Sequence, residues 1–381
     1  MTDFNGVRDL IQTVQQTHRA IPEMMKGGCV PYYRRGEMSI PAFKMKAGGD
    51  PETDGRATSL KLMGKAAQLP IDFFFYDLED ASPDNPELKP LARKFIIEAF
   101  NTFDYGKRIR AFRPNNIRTA YFEDDIVEVV GAIGDRLDAI VLPKSETAAE
   151  VADVQRILRA VQKSCGRDNT IRIEVLIESP RAFCQAEGIA AVDDVSALIF
   201  GAWDFARTIG GRVEADTWLQ DQGTARQLLP IIAAAYGKDA VDAVTATLPI
   251  RSKDPTDTEA KARHQRAIDL ARRDAEEARR IGFAAKWILH PDQIDAIQGA
   301  WTPTREVALE ALNLTADYTR AAESGSGAEG HGEQLADKAV VGTEWWVVLA
   351  GFQAGVLTQD DVASTGYTLD ALERTVRTRD A

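Results

Sequence analysis

Short apolar runs with little alternation recur along this chain, each followed by a segment whose apolar positions return every three or four residues. The runs at 39–43, 72–80, 107–115, 138–144, 171–177, 196–200, 240–250 and 284–290 predict strands. Helical spacing at 58–68, 89–100, 123–131, 148–163, 226–236 and 258–280 predicts helices between them. Phe183, Ala186, Ile189 and Ala190 set one more between the fifth and sixth strands. Strands apolar on both faces belong to a parallel sheet covered on both sides. Eight βα units in about 250 residues predict an α/β fold, a closed (β/α)8 TIM barrel. An open doubly wound sheet is the competitor; polar residues at nearly every strand end favour the ring.

Residues 1–36 read as an N-terminal extension with a helix over 6–18, and 37–322 as the barrel domain. A helix is expected over 304–320, and AAESGSGAEGHG at 321–332 has the composition of a flexible linker. A last helix over 333–354 carries Trp345, Trp346 and Phe352. Residues 323–381 are therefore expected to form a linker and a C-terminal helical lid, or an arm that docks on a neighbouring subunit.

The chemistry gathers where the strands end. The stretch from Ile171 to Asp204 reads as strand, helix, strand, and its two strands must end on one edge of a parallel sheet. That places Glu178 and Asp204 side by side at the edge where such folds keep their active sites. Two carboxylates there suit a hard divalent cation that retains several waters, Mg²⁺ with Mn²⁺ as the alternative. The other strand ends carry Lys44 and Lys46, Glu79 and Asp80, Arg113, Lys144 and His290. Acids enough for one cation among bases enough for an anionic substrate suit enolate stabilisation.

Composition narrows the partners. The net charge of −12 argues against nucleic acid or an anionic membrane surface. Three cysteines, Cys29, Cys165 and Cys184, without CxxC spacing fit a reduced cytoplasmic protein. The N-terminal segment lacks a signal-peptide core, and no run approaches the ~18 apolar residues of a membrane span.

Six motifs then fall in a recognisable order: DLED (Asp77–Asp80), Arg113-x-Asn115 with Thr119 and Asp125 behind it, VLPKSE (Val141–Glu146), LIES (Leu176–Ser179), IFGAWDFA (Ile199–Ala206) and KWILHPDQI (Lys286–Ile294). Together they resemble the citrate lyase β-subunit/malyl-CoA lyase family of the HpcH/HpaI-type aldolase superfamily. The resemblance implies that Glu178 and Asp204 ligate Mg²⁺ and that Arg113 clamps the 2-oxo acid and polarises its carbonyl. It implies that Glu79 and Asp80 hold metal-bound water or shuttle a proton, and that Lys144 is an electrostatic support. The Lys286–Gln293 segment, with Trp287, His290 and Pro291, resembles the rim where coenzyme A lies. Implied activity is cleavage of a 3-hydroxyacyl-CoA thioester into an acyl-CoA and a 2-oxo acid, or the reverse, by a homotrimer or homohexamer.

There are departures. The first strand, SIPAFKMKAGG, lacks the Pro-Gly loop of relatives, so Lys44, Lys46 or Arg35 would have to stand in. The lid's Asp-Gly pair is replaced by Glu329-Gly330, making Glu329 the corresponding proton donor. Two other readings stay open: a pyruvate-type aldolase that needs no coenzyme A, and a non-catalytic barrel subunit. Each residue also has a plainer reading. Glu178, Glu79 and Asp80 could cap helices, Arg113 could form a structural ion pair, and His290 could finish a strand.

Overall fold

The computed structural model describes residues 34–213, 222–254, 256–325, 328–331 and 334–377, with 328–331, 334–336 and 377 given by backbone alone. The expected helix over 6–18 lies outside them. Eight parallel strands close into a barrel in sequence order: β1 Gly36–Pro41, β2 Phe73–Asp77, β3 Ile109–Arg113, β4 Ala139–Leu142, β5 Arg172–Ile177, β6 Val195–Phe200, β7 Asp239–Asp242 and β8 Ala285–Ile288. Alternation along each strand sorts the side chains. Phe73, Phe75, Ile109, Ala111, Val141, Leu176, Ile199 and Val241 fill the interior. On the opposite face of β2, Phe74 stacks on Tyr105 (4.8 Å between centroids), and Tyr76 meets Phe100 of the helix Lys89–Thr102 edge-on (5.5 Å). Both faces are buried, which is why the strands read as unbroken apolar runs.

The helices follow the expected positions. Thr258–Arg280 starts at Asp257, whose carboxylate accepts from the Ala260 N–H (2.8 Å), and it buries Ala267, Leu270, Ala271, Ala275 and Ala278 together with Asp274, which accepts from Thr245 Oγ1 (2.6 Å). The seventh strand departs from expectation: it stops at Asp242 rather than continuing to 250. Side chains, not a neighbouring strand, satisfy the carbonyls beyond it. Lys286 Nζ donates to Ala243 O (2.6 Å), and Gln293 Nε2 donates to Thr245 O (3.1 Å). Ile250, 62% exposed, has left the sheet altogether.

The amino-terminal floor of the barrel holds a buried ionic cluster that the sequence pattern does not announce. Arg34 donates to Glu37 Oε1 (2.5 Å), Glu174 Oε1 (2.5 Å) and Asp239 Oδ2 (2.9 Å). Among the described residues one cation faces three acids, and Glu37 Oε2 and Glu174 Oε2 have no hydrogen-bond partner. Burial first, then the Glu174 charge, pushes the Glu37 carboxyl well above the usual range, and burial pushes Asp239 up to about 6. A carboxyl raised in the folded state contributes stability that is complete below its unfolded value, near 4, and is lost as pH rises through the folded value. Glu37→Gln, which copies the protonated form, is therefore expected to be more stable than wild type at pH 8 by roughly 1–3 kcal/mol. The gap should close near pH 4.5, as urea midpoints at both pH values would read.

Contacts divide the chain into two compact units, one spanning Cys29–Ala300 and the other including Trp301–Ala381. In the second, the helix Arg305–Glu323 packs on Lys338–Gln353 through Ala308, Leu312, Trp345 and Val348. Between these helices, β9 Ala328–His331 and β10 Gln334–Asp337 pair antiparallel. The expected linker over 321–332 thus carries the end of a helix and a strand. Trp345 is buried, as core packing requires, whereas Trp346 is 57% exposed. Among the described residues no helix is long and apolar enough to cross a membrane.

Candidate active site

Asp77 and Arg113 end neighbouring strands on the inward face, two residues beyond Phe75 and Ala111. Arg113 Nε donates to Asp77 Oδ1 (2.7 Å) and Nη2 to Oδ2 (2.5 Å), a two-point fork. The same carboxylate accepts from the Glu79 N–H (2.8 Å) and the Ala81 N–H (3.1 Å). Asp77 therefore aims the guanidinium and folds the turn that presents Glu79 and Asp80. Lys144 Nζ bonds both acids of that turn, at 2.9 Å for Asp80 Oδ1, and Arg113 Nη1 lies 3.4 Å from Glu79 Oε2. Burial alone would lower the Arg113 pKa, but Asp77, Glu79 and Glu178 more than reverse this and keep it charged. Burial raises the Glu79 carboxyl against the pull of Arg113 and Lys144. For the more open Asp80, Lys144 and Arg113 outweigh burial and hold it below its ordinary value.

Glu178 follows β5 on the same inward face as Glu174 and Leu176. Its Oε1 accepts from the Lys144 N–H at 2.6 Å. β6 runs alongside, and a Cβ on Gly201 would fall 2.3 Å from Glu178 Cβ, so only glycine lets the strands' ends close on this carboxylate. Asp204 sits in the first turn of the helix Ala202–Thr208, paired with Arg207 at 2.5 Å. Burial pushes Glu178 up to about 8, with Arg113 opposing and the charges of Asp204 and Glu79 adding to the rise. A divalent cation would supply positive charge to the buried Glu178. No group of three or more His, Cys, Asp or Glu side chains placed to hold a metal occurs among the described residues. Glu178 and Asp204 could provide two ligands with water as the rest, a set that suits Mg²⁺.

Residues 56–291, more than half of the chain, match the family described as HpcH/HpaI aldolase/citrate lyase. The chain belongs to this family. It is 30% identical over 290 residues to the L-malyl-CoA/β-methylmalyl-CoA lyase of Cereibacter sphaeroides, covering 74% of this chain and 87% of that one. It is 28% identical over 282 residues to citrate lyase subunit β of Leuconostoc mesenteroides subsp. cremoris, covering 71% and 82%. A solved citrate lyase from Burkholderia xenovorans LB400 shares the fold at a TM-score of 0.68 and 19% identity, over 88% of this chain and 96% of that one. Protein CitE of Mycobacterium tuberculosis, solved with magnesium, acetoacetate and coenzyme A, does so at 0.57 and 23%, over 85% and 99%. The protein is a carbon–carbon lyase.

Within this HpcH/HpaI member the remaining expected residues disperse. Lys44 and Lys46 lie exposed in the loop after β1. Arg35 is placed at the wrong edge to substitute for them: it precedes β1 and pairs with Asp72 ahead of β2 (2.7 Å). β1 ends at Pro41 rather than at the expected 43. Trp287 is not on the rim. Its ring lies 5.4 Å from the Arg113 guanidinium and 5.4 Å from Phe75, and Nε1 donates to Ser39 Oγ (3.0 Å). Lys286 is fully buried on Asp242 (2.8 Å). His290 lies beyond the end of β8, and its Nδ1 accepts from the Asp292 N–H (3.1 Å), capping the turn Pro291–Gln293. Glu329 lies in β9, in the other unit, with its side chain outside the described atoms.

Sequence reading missed Asp77, hidden inside DLED, and Lys89, whose buried ammonium holds Leu78 O and Asn115 Oδ1. Asn115 in turn donates N–H and Nδ2 to Asp125 Oδ2 (2.8 and 2.6 Å). The spaced Arg113, Asn115 and Asp125 are thus an arginine and the scaffold behind it.

Proposed function

We propose that this lyase cleaves a 3-hydroxyacyl-CoA thioester such as malyl-CoA into an acyl-CoA and a 2-oxo acid, or joins them, with Mg²⁺ held by Glu178 and Asp204. The reading is carried by one observation: a buried guanidinium, locked by Asp77, shares the strand-end face with a buried Glu178 carboxylate, which accepts from the Lys144 N–H. The relative named as a malyl-CoA lyase, at 30% identity, supports the substrate class. Mg²⁺, or Mn²⁺ in its place, supplies a Lewis acid to the oxygens of the 2-oxo acid. Arg113 donates N–H to the oxygen that gathers negative charge. Glu79, raised by burial and tied to Lys144, takes the proton of the 3-hydroxyl as the bond between C2 and C3 of the acyl chain breaks. The electron pair passes to the thioester enolate, and Glu329, assigned on its motif alone, returns a proton to carbon. Lys44 and Lys46, exposed in the loop after β1, offer charge to the phosphates of coenzyme A, and Pro291 and His290 belong to the resembling rim.

The test is cleavage of malyl-, methylmalyl- and citramalyl-CoA with Mg²⁺ and with EDTA. Metal-dependent release of acyl-CoA from one of them is expected, and none from any overturns the reading. Calorimetric titration with coenzyme A separates it from a coenzyme-independent aldolase, which would bind none. Glu329→Gln is expected to lower kcat by about 10²–10⁴-fold with KM little changed, the range for removing a general acid. Resemblance also supports a homotrimer or homohexamer, which light scattering reads directly.

A further inference from the structure

Lys144 is, among the described residues, the one non-glycine held at positive φ, +51°. That region is costly for an L-residue, and such outliers persist only where the surroundings over-determine them. Here they do. The Lys144 carbonyl accepts from Asn116 Nδ2 (3.0 Å) and Arg118 Nη2 (2.6 Å), and Asn116 Nδ2 also holds the Pro143 carbonyl (3.0 Å). With both carbonyls pinned, the Lys144 N–H is turned onto Oε1 of Glu178 (2.6 Å). Gly201 packs against Glu178, where a Cβ would fall 2.3 Å from Glu178 Cβ and 3.1 Å from Oε2. Among the described residues no donor reaches Glu178 Oε2.

We propose that Lys144 is a positioning residue acting through its backbone: the left-handed turn spends the Lys144 N–H on one oxygen of Glu178 and so presents the other to the cation. Its ammonium does a separate job, holding Glu79 and Asp80. This rests on reading Glu178 as a metal ligand. The two jobs come apart by substitution, because glycine keeps the turn and loses the ammonium, whereas Asn116→Ala keeps the ammonium and loosens the turn, freeing the Pro143 carbonyl and leaving the Lys144 carbonyl to Arg118 alone.

The experiment is calorimetric titration of the full chain with Mg²⁺ alone, without substrate. Lys144→Gly should bind within about threefold of wild type, since only the backbone matters for the ion. Lys144→Val, whose branched side chain resists positive φ, and Asn116→Ala should each bind roughly 10–100-fold more weakly, the loss seen when a ligand's own support is removed. If the valine variant does not fold, Asn116→Ala supplies the same contrast. Should Lys144→Gly lose affinity as far as these do, or should Asn116→Ala match wild type, the backbone role is overturned while Mg²⁺ binding stands. A wild type that takes up no Mg²⁺ overturns the functional reading and this one with it.

Discussion

Arg113→Lys is expected to lower kcat by about 10²–10³-fold while leaving a folded barrel. The charge survives this substitution; the geometry does not. A guanidinium meets Asp77 with two parallel N–H bonds, at 2.7 and 2.5 Å, and still has N–H groups left for substrate. An ammonium has one nitrogen. Placed against Asp77 it falls short of the substrate oxygen, and drawn toward the substrate it abandons a carboxylate that is fully buried. The stacking of Arg113 over Trp287 at 5.4 Å is lost as well. Arg113→Ala is a harsher change, because Asp77 would then remain buried without its cation, at a cost of about 3–5 kcal/mol. Steady-state kinetics together with a melting curve distinguish the two outcomes. A lysine variant with wild-type kcat would show that Arg113 serves the scaffold only.

The barrel was legible because its physics is repetitive. Every strand of β1–β8 is covered on both faces, so each appeared as an apolar run, and each run was followed by a helix of the right period. Strand ends were harder to read. Nothing in 240–250 marks Asp242 as the last paired residue, since the stop is imposed by Lys286 and Gln293 from 40 or more residues further along. In the site, Glu178, Arg113 and Asp204 could be found because polarity broke an apolar run at its carboxyl end. Asp77 was concealed by two neighbouring acids. A count of two from Phe73 and Phe75 puts Asp77, not Asp80, on the inward face, and that signal was available. The same count from Ala285 turns Trp287 into the barrel rather than onto its rim. Arg34, Glu37, Glu174 and Asp239 gave no such clue. Their meeting depends on closure of the ring, which brings β1, β5 and β7 to a common floor.

Asp204→Asn is expected to abolish the Mg²⁺ response of the protein while scarcely altering the metal-free fold. Among the described residues the Asp204 side chain pairs with Arg207, and the two side chains are 25% and 75% exposed. A pair that open to solvent contributes about 0–1 kcal/mol, so the melting temperature without metal should hardly move. Wild type behaves differently once Mg²⁺ is present: at a hundred times its dissociation constant a ligand specific for the folded state adds about 2.7 kcal/mol. An asparagine offers a neutral oxygen in place of a charged one, leaving Glu178 as the lone anionic ligand. The Mg²⁺-dependent rise in melting temperature should then disappear, and cleavage should fall by about 10³-fold or more, because the electrophile that accepts the growing charge is no longer held. Glu178→Gln cannot make this distinction so cleanly. Glu178 is buried, bonded to the Lys144 N–H and packed on Gly201, so changing it disturbs the metal-free protein too. Asp204 is therefore the position at which a thermal-shift titration separates holding the ion from holding the fold. A variant that keeps the full Mg²⁺ shift would remove Asp204 from the metal site.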